Sequence, residues 1–96
     1  MELLEIDKLI EVCRNHGTRR VALFGSFVRG DARPDSDIDL LVDFLEPTGF
    51  LALVRLEREL SEVAGRKVDL FTEQAISPHL RERILGEQRV IYEAVG

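Results

Sequence analysis

The chain is short of several residue types, and each shortage closes off a class of function. It has one cysteine, Cys13, so it can form neither an intrachain disulfide nor a cysteine metal cluster. Its two histidines, His16 and His79, lack the close spacing of paired histidine ligands, and no Ser–His–Asp triad suggests itself. No apolar stretch approaches the ~20 residues needed to span a bilayer. The start, Met1-Glu2-Leu3-Leu4-Glu5, lacks a basic stretch followed by an apolar run. A cytoplasmic protein with no membrane association is therefore expected. Positive charge is scarce as well: 13 basic residues against 18 acidic ones leave a net charge of −5. Direct nucleic-acid binding normally needs a basic face and is not expected. A nucleotide held through divalent cations is compatible with this charge, because clustered carboxylates recruit the metal and the metal recruits phosphates.

What is present suits one compact domain spanning residues 1–96. Apolar residues make up 45% of the 96, enough for a core without covalent staples. A domain of this size buries a smaller fraction of its surface than a large one, so a protein partner is compatible with its length, as is a homo-oligomer.

The pattern is one of short elements in alternation. Leu3, Ile6, Ile10 and Cys13, with Leu9 beside them, recur at helical spacing and predict a helix over 2–15, stopped by Gly17. Arg20 to Gly25 is short and apolar, which predicts a strand buried on both faces. Residues 27–30 form a brief helical turn, and 31–35, with Pro34, a loop. Residues 37–44 alternate, with Ile38, Leu40, Val42 and Phe44 on one face and Asp37, Asp39, Leu41 and Asp43 on the other. Leu53, Leu56, Leu60, Val63 and Ala64 predict a helix over 50–64, ended by Gly65. Residues 67–71 read as a strand. Ser77-Pro78 has the form of an N-cap and first helical residue, with the helix running to about Leu85 and Gly86 as its stop. Residues 89–92 read as a last strand. The fold class is α/β (α+β), a small mixed β-sheet flanked by helices.

Asp37 and Asp39 carry the first chemical signal. Two residues apart on a strand, they share a face roughly 7 Å apart. Two carboxylates so placed raise each other's proton affinity, and a divalent cation relieves the repulsion. A bare Asp-x-Asp is more often a solvated strand face. Asp69 alters the balance: on a neighbouring strand it would join the pair, and three carboxylates suit one or two Mg²⁺ ions. Taken alone, Asp69 is equally well a partner for Lys67. Gly25 and Ser26 stand where the first strand ends. Glycine permits an unusual backbone angle and close approach, and serine offers a hydroxyl and an N–H to a phosphate. A helix starting there would also favour an anion. Neither Gly-rich phosphate fingerprint is present. Arg29 can fork phosphate oxygens. Arg33, His16 and His79 read as structural, and Tyr92 as buried.

Gly25-Ser26, ten intervening residues (27–36), Asp37-x-Asp39 and a later Asp69 together resemble the DNA polymerase β-like nucleotidyltransferase superfamily. The strings Gly25-Ser26-Phe27-Val28-Arg29-Gly30 and Ser36-Asp37-Ile38-Asp39-Leu40-Leu41-Val42 resemble more closely its minimal nucleotidyltransferases (MNT), the antitoxins of HEPN/MNT toxin–antitoxin pairs. Val28 stands where alanine is commoner, at a position with no chemical role. The resemblance implies that Asp37, Asp39 and Asp69 hold two Mg²⁺ ions, with Asp69 also helping to activate the acceptor. It implies that Gly25, Ser26 and Arg29 bind the triphosphate of ATP or another NTP. The reaction implied is transfer of an NMP, usually AMP, to a hydroxyl such as a tyrosine of the HEPN-domain toxin.

The chain has a metal and phosphate end but little length for gripping an acceptor. Two other readings stay open. One is an antitoxin that neutralises its partner by binding alone. The other is a transferase acting on a small molecule or RNA, which the acidic charge disfavours.

Overall fold

A computed structural model describes residues 6–94. The chain runs through α1 (Ile6–Asn15), β1 (Thr18–Phe24), α2 (Ser26–Arg29), β2 (Ile38–Phe44), α3 (Phe50–Ala64), β3 (Val68–Thr72), α4 (Pro78–Glu87) and β4 (Arg89–Glu93). The four strands form one sheet in the order β3-β2-β1-β4. β1 is antiparallel to β2 and to β4, while β2 and β3 are parallel. A parallel pair needs a crossover connection, and α3 supplies it. The expected small mixed sheet flanked by helices is thus the observed one.

Both faces of the sheet are covered, as the run of apolar residues in β1 requires. Val21 and Leu23 point to one side, where they join Ile38, Leu40, Val42 and Val68 under Leu9, Val12 and Cys13 of α1 and Leu56 and Leu60 of α3. Ala22 and Phe24 point to the other, where they meet Leu41 of β2 and Ile84 of α4. Leu56 and Leu60 are fully buried, each contributing about 1.5–3 kcal/mol of transfer free energy. Burial also pushes the Cys13 thiol up to about 12, consistent with its use as a small core residue.

Local stops and starts follow the residue chemistry, with corrections. Gly17 and Gly65 take positive φ at 75° and 69°, ending α1 and α3 as expected of glycine. The Ser77 hydroxyl accepts a hydrogen bond from the Leu80 N–H at 3.2 Å, so the predicted N-cap is real. Gly86 is not a stop. It lies inside α4, which runs on to Glu87 with Gln88 as an extended C-cap. In α1 the buried stripe is Leu9, Val12 and Cys13, a rotation from the predicted one; Leu3 lies outside the described residues. Val63 is exposed on α3, because the buried line runs through Leu56 and Leu60. β1 begins two residues early at Thr18 and ends at Phe24, leaving Gly25 outside the strand. Leu41 is buried, so the second face of β2 is only partly a solvent face.

Candidate active site

Register places the site. The end of β1 meets the start of β2 with Phe24 opposite Asp39. On the other side of β2, Asp39 is paired with Asp69 of β3. Cross-strand partners share a face, so Asp39 and Asp69 project together on the α4 side of the sheet. Asp37 sits just before β2 rather than within it, and is exposed. Beneath the carboxylates lies an apolar floor: the Phe24 and Phe71 rings meet edge to face at 5.3 Å.

The electrostatics follow from that arrangement. Asp39 is partly buried, and its carboxyl is pushed above the usual carboxylate range. Burial is the main cause, followed by the negative charges of Asp69 and Asp37; Arg29 opposes the shift and Glu87 adds to it. The carboxylates of Asp37 and Asp39 make no hydrogen bond or salt bridge among the described residues. Asp69 has Lys67 Nζ at 3.6 Å and keeps its place opposite Asp39 in the sheet. The fit to hard divalent cations lies in ligand type and in this mutual repulsion. It does not lie in a finished cage: among the described residues no three His, Cys, Asp or Glu side chains already converge as a metal-binding group.

Gly25 is the second part of the site. Its φ of 79° and ψ of −151° fall where essentially only glycine goes. A Cβ there would lie 2.5 Å from Asp39 Oδ2, so the backbone passes against the carboxylate. Ser26 begins α2, and its hydroxyl makes no hydrogen bond among the described residues. α2 is four residues long, too short for a substantial macrodipole. The donors available to an anion there are the Gly25 N–H, the Ser26 hydroxyl and N–H, and Arg29.

Two participants escaped the sequence. Glu87, the last residue of α4, accepts from the Gly25 N–H at 3.1 Å and from Arg29 Nη1 at 3.3 Å with the same Oε1. Nothing in the sequence marks it; only the continuation of α4 through Gly86 brings it to Gly25. Arg66, just after α3, donates from Nη1 to the carbonyls of Arg33 and Ser36, both at 3.3 Å. Its guanidinium also lies 5.1 Å from the Phe27 ring centroid. Arg66 thereby ties down the loop that delivers Asp37. Arg33 serves that loop through its backbone. Arg29, besides Glu87, has Asp31 at 3.5 Å.

His16 pairs with Glu59, His79 lies exposed in α4, and Tyr92 packs half-buried on the core. A concavity of about 670 Å³ lies at the far end of β2, around Phe44, Pro47 and Phe50. None of the three aspartates lines it, and the chemistry of the carboxylate end outweighs its size.

Comparison with known proteins agrees with this geometry. The family profile described as a nucleotidyltransferase domain matches residues 6–91. A Methanocaldococcus jannaschii protein, named as a candidate protein adenylyltransferase, is 46% identical over 80 residues, covering 83% of this chain and 86% of its own. The Thermococcus cleftensis protein adenylyltransferase MntA is 35% identical over 97 residues, covering 96% of both chains. Among solved structures, a chain in the complex of a tri-AMPylated Shewanella oneidensis HEPN toxin with its MNT antitoxin superposes with a TM-score of 0.77. It is 22% identical and covers 98% of this chain and 74% of that one, a likeness of fold. No described helix is long and apolar enough to cross a membrane. With most of its length matched by the profile and by close relatives, the chain belongs to the nucleotidyltransferase domain family.

Proposed function

We propose that the protein transfers AMP from ATP to a protein hydroxyl, a tyrosine of a HEPN-domain toxin, and so acts as the antitoxin of the pair. The observation that carries this reading is the β1-β2-β3 register, which sets Asp39 between Gly25 and Asp69. Nucleotide transfer needs an anion cradle and a carboxylate cluster side by side, and these three strand ends provide both. The adenylyltransferase name of the Thermococcus relative supports AMP as the group moved. The toxin complex that shares the fold makes a HEPN protein the first partner to test.

The roles divide by position. The Gly25 N–H, the Ser26 hydroxyl and Arg29 bind phosphate oxygens and orient the triphosphate. Asp37 and Asp39 would hold two Mg²⁺ ions, with Asp69 completing one site. Those ions, when bound, neutralise charge that develops on the attacking and leaving oxygens. The acceptor oxygen bonds to the α-phosphorus, the bond from that phosphorus to the bridging oxygen of the β-phosphate breaks, and pyrophosphate departs. Asp69, on the edge strand β3, takes up the hydroxyl proton on its carboxylate. Arg66 keeps the loop before Asp37 in place.

The direct test is incubation with labelled ATP, Mg²⁺ and the protein encoded by the adjacent gene. Wild type is expected to label the partner and Asp39→Asn to leave it unlabelled. Equal labelling by the two would sink the proposal. A partner neutralised as well by the Asp37→Ala, Asp39→Ala double variant would make binding alone the antitoxin mechanism.

A further inference from the structure

Glu87 stands in the place that the nucleotide's phosphate is expected to take. One carboxylate oxygen accepts from both the Gly25 N–H and Arg29 Nη1, at 3.1 and 3.3 Å. A carboxylate oxygen and a phosphate oxygen are equivalent acceptors for such donors. A single N–H makes one good hydrogen bond, so it cannot serve both at full strength.

The position is otherwise a poor one for a glutamate. Glu87 ends α4, where the negative end of the helix dipole disfavours an anion. It also adds negative charge to the field on Asp39, which already feels Asp69 and Asp37. What holds it there is the pair of donors. It is followed by Gln88, an extended residue beyond the helix, and then directly by β4, so displacing the carboxylate calls for a side-chain rotation and not for movement of the helix.

We propose that Glu87 is an internal stand-in for phosphate. It keeps the Gly25–Arg29 cradle formed while empty, and a ligand enters only by displacing it. The consequence is selectivity. A lone small anion competes with a tethered carboxylate and gains nothing against the surrounding aspartates. A triphosphate carrying divalent cations brings several acceptor oxygens and neutralises the aspartates as well. Once displaced, Glu87 still adds its negative charge to that of the aspartates, so it disfavours inorganic phosphate or a metal-free polyphosphate more than the metal-bound nucleoside triphosphate. This rests on the phosphate-binding role given above to Gly25 and Arg29.

The test is calorimetric titration of the chain, without acceptor, using Mg·ATP and, in EDTA, inorganic tripolyphosphate. Wild type, Glu87→Gln and Glu87→Ala are compared, each first shown to melt cooperatively. The wild type is expected to bind Mg·ATP and to bind metal-free tripolyphosphate weakly. Both variants are expected to bind Mg·ATP more tightly, on the order of tenfold if the cradle is nine-tenths occupied by Glu87. They should gain proportionally more for tripolyphosphate. If both variants bind Mg·ATP with wild-type or lower affinity while wild type binds, the stand-in role is wrong and the site assignment survives. If none of the three proteins binds Mg·ATP, the site assignment fails and takes this inference with it.

Discussion

Substituting Gly25 by alanine separates two costs that the structure assigns to different observables. The backbone there has φ 79° and ψ −151°, a region that costs a residue with a side chain about 1–3 kcal/mol. For a domain of this length each kcal/mol lowers Tm by ~4–8 °C, so Gly25→Ala should melt on the order of 10 °C below wild type. The added Cβ would also stand 2.5 Å from Asp39 Oδ2, with Asp39 Cγ and Cβ at 3.4 and 3.5 Å. Ordinary contact needs about 1 Å more than the closest of these. The atom struck is the end of the Asp39 side chain, which can rotate away. The steric cost therefore appears in catalysis rather than in folding, and, with Asp39 in its proposed role, displacing its carboxylate by ~1 Å costs about 10²-fold in rate. The control is Gly17→Ala. Gly17 also has positive φ, 75°, but a Cβ there meets nothing within 4 Å. It should lose a similar amount of stability, ~1–2 kcal/mol, and keep its activity. Partner labelling with ATP, measured at a temperature where all three proteins are folded, decides the matter. Wild-type labelling by Gly25→Ala would refute the close approach of backbone and carboxylate as a working part of the site.

Asp39→Asn should abolish transfer and raise Tm at neutral pH. The Asp39 carboxyl is raised above its ordinary value by burial and by Asp69 and Asp37, so stability is lost as pH rises through the folded-state value. The Tm gap between variant and wild type should be widest at neutral pH and close as pH falls below the ordinary carboxylate range; a gap independent of pH would contradict this origin. Mg²⁺ should raise the wild-type Tm by preferential binding to the folded state, and should do so much less in Asp37→Asn or Asp39→Asn. Equal stabilisation of all three by Mg²⁺ would remove these aspartates as its ligands. Arg66→Ala should lower activity at sub-saturating Mg²⁺ and shift the half-saturating Mg²⁺ concentration upward, because the loop before Asp37 loses two hydrogen bonds worth about 0.5–1.5 kcal/mol each. An unchanged Mg²⁺ dependence would reduce Arg66 to a surface tie.

Much of this was legible from residue order alone. The strands at 37–44 and 67–71, the helix over 50–64 and the Ser77 cap are decided by periodicity and by local hydrogen bonding, which act within a few residues. Gly86 was misread because a glycine after an apolar residue fits a helix stop equally well whether or not the chain turns there. The choice was made by tertiary packing: Ile84 is held in the α4-side cluster, and the helix continues another turn's fraction to Glu87.

The same division holds for the feature that defines the protein. The sequence alone determined the chemical inventory, because Gly25-Ser26, Asp37-x-Asp39 and Asp69 are spaced as strand ends and loops dictate, and strand alternation puts acidic residues on one face. Only the tertiary structure decided that Asp39 lies opposite Asp69, that Gly25 presses against Asp39, and that Glu87 accepts from both Gly25 and Arg29. Strand order and register are set by which apolar faces bury together across long stretches of chain, and no local pattern records the result.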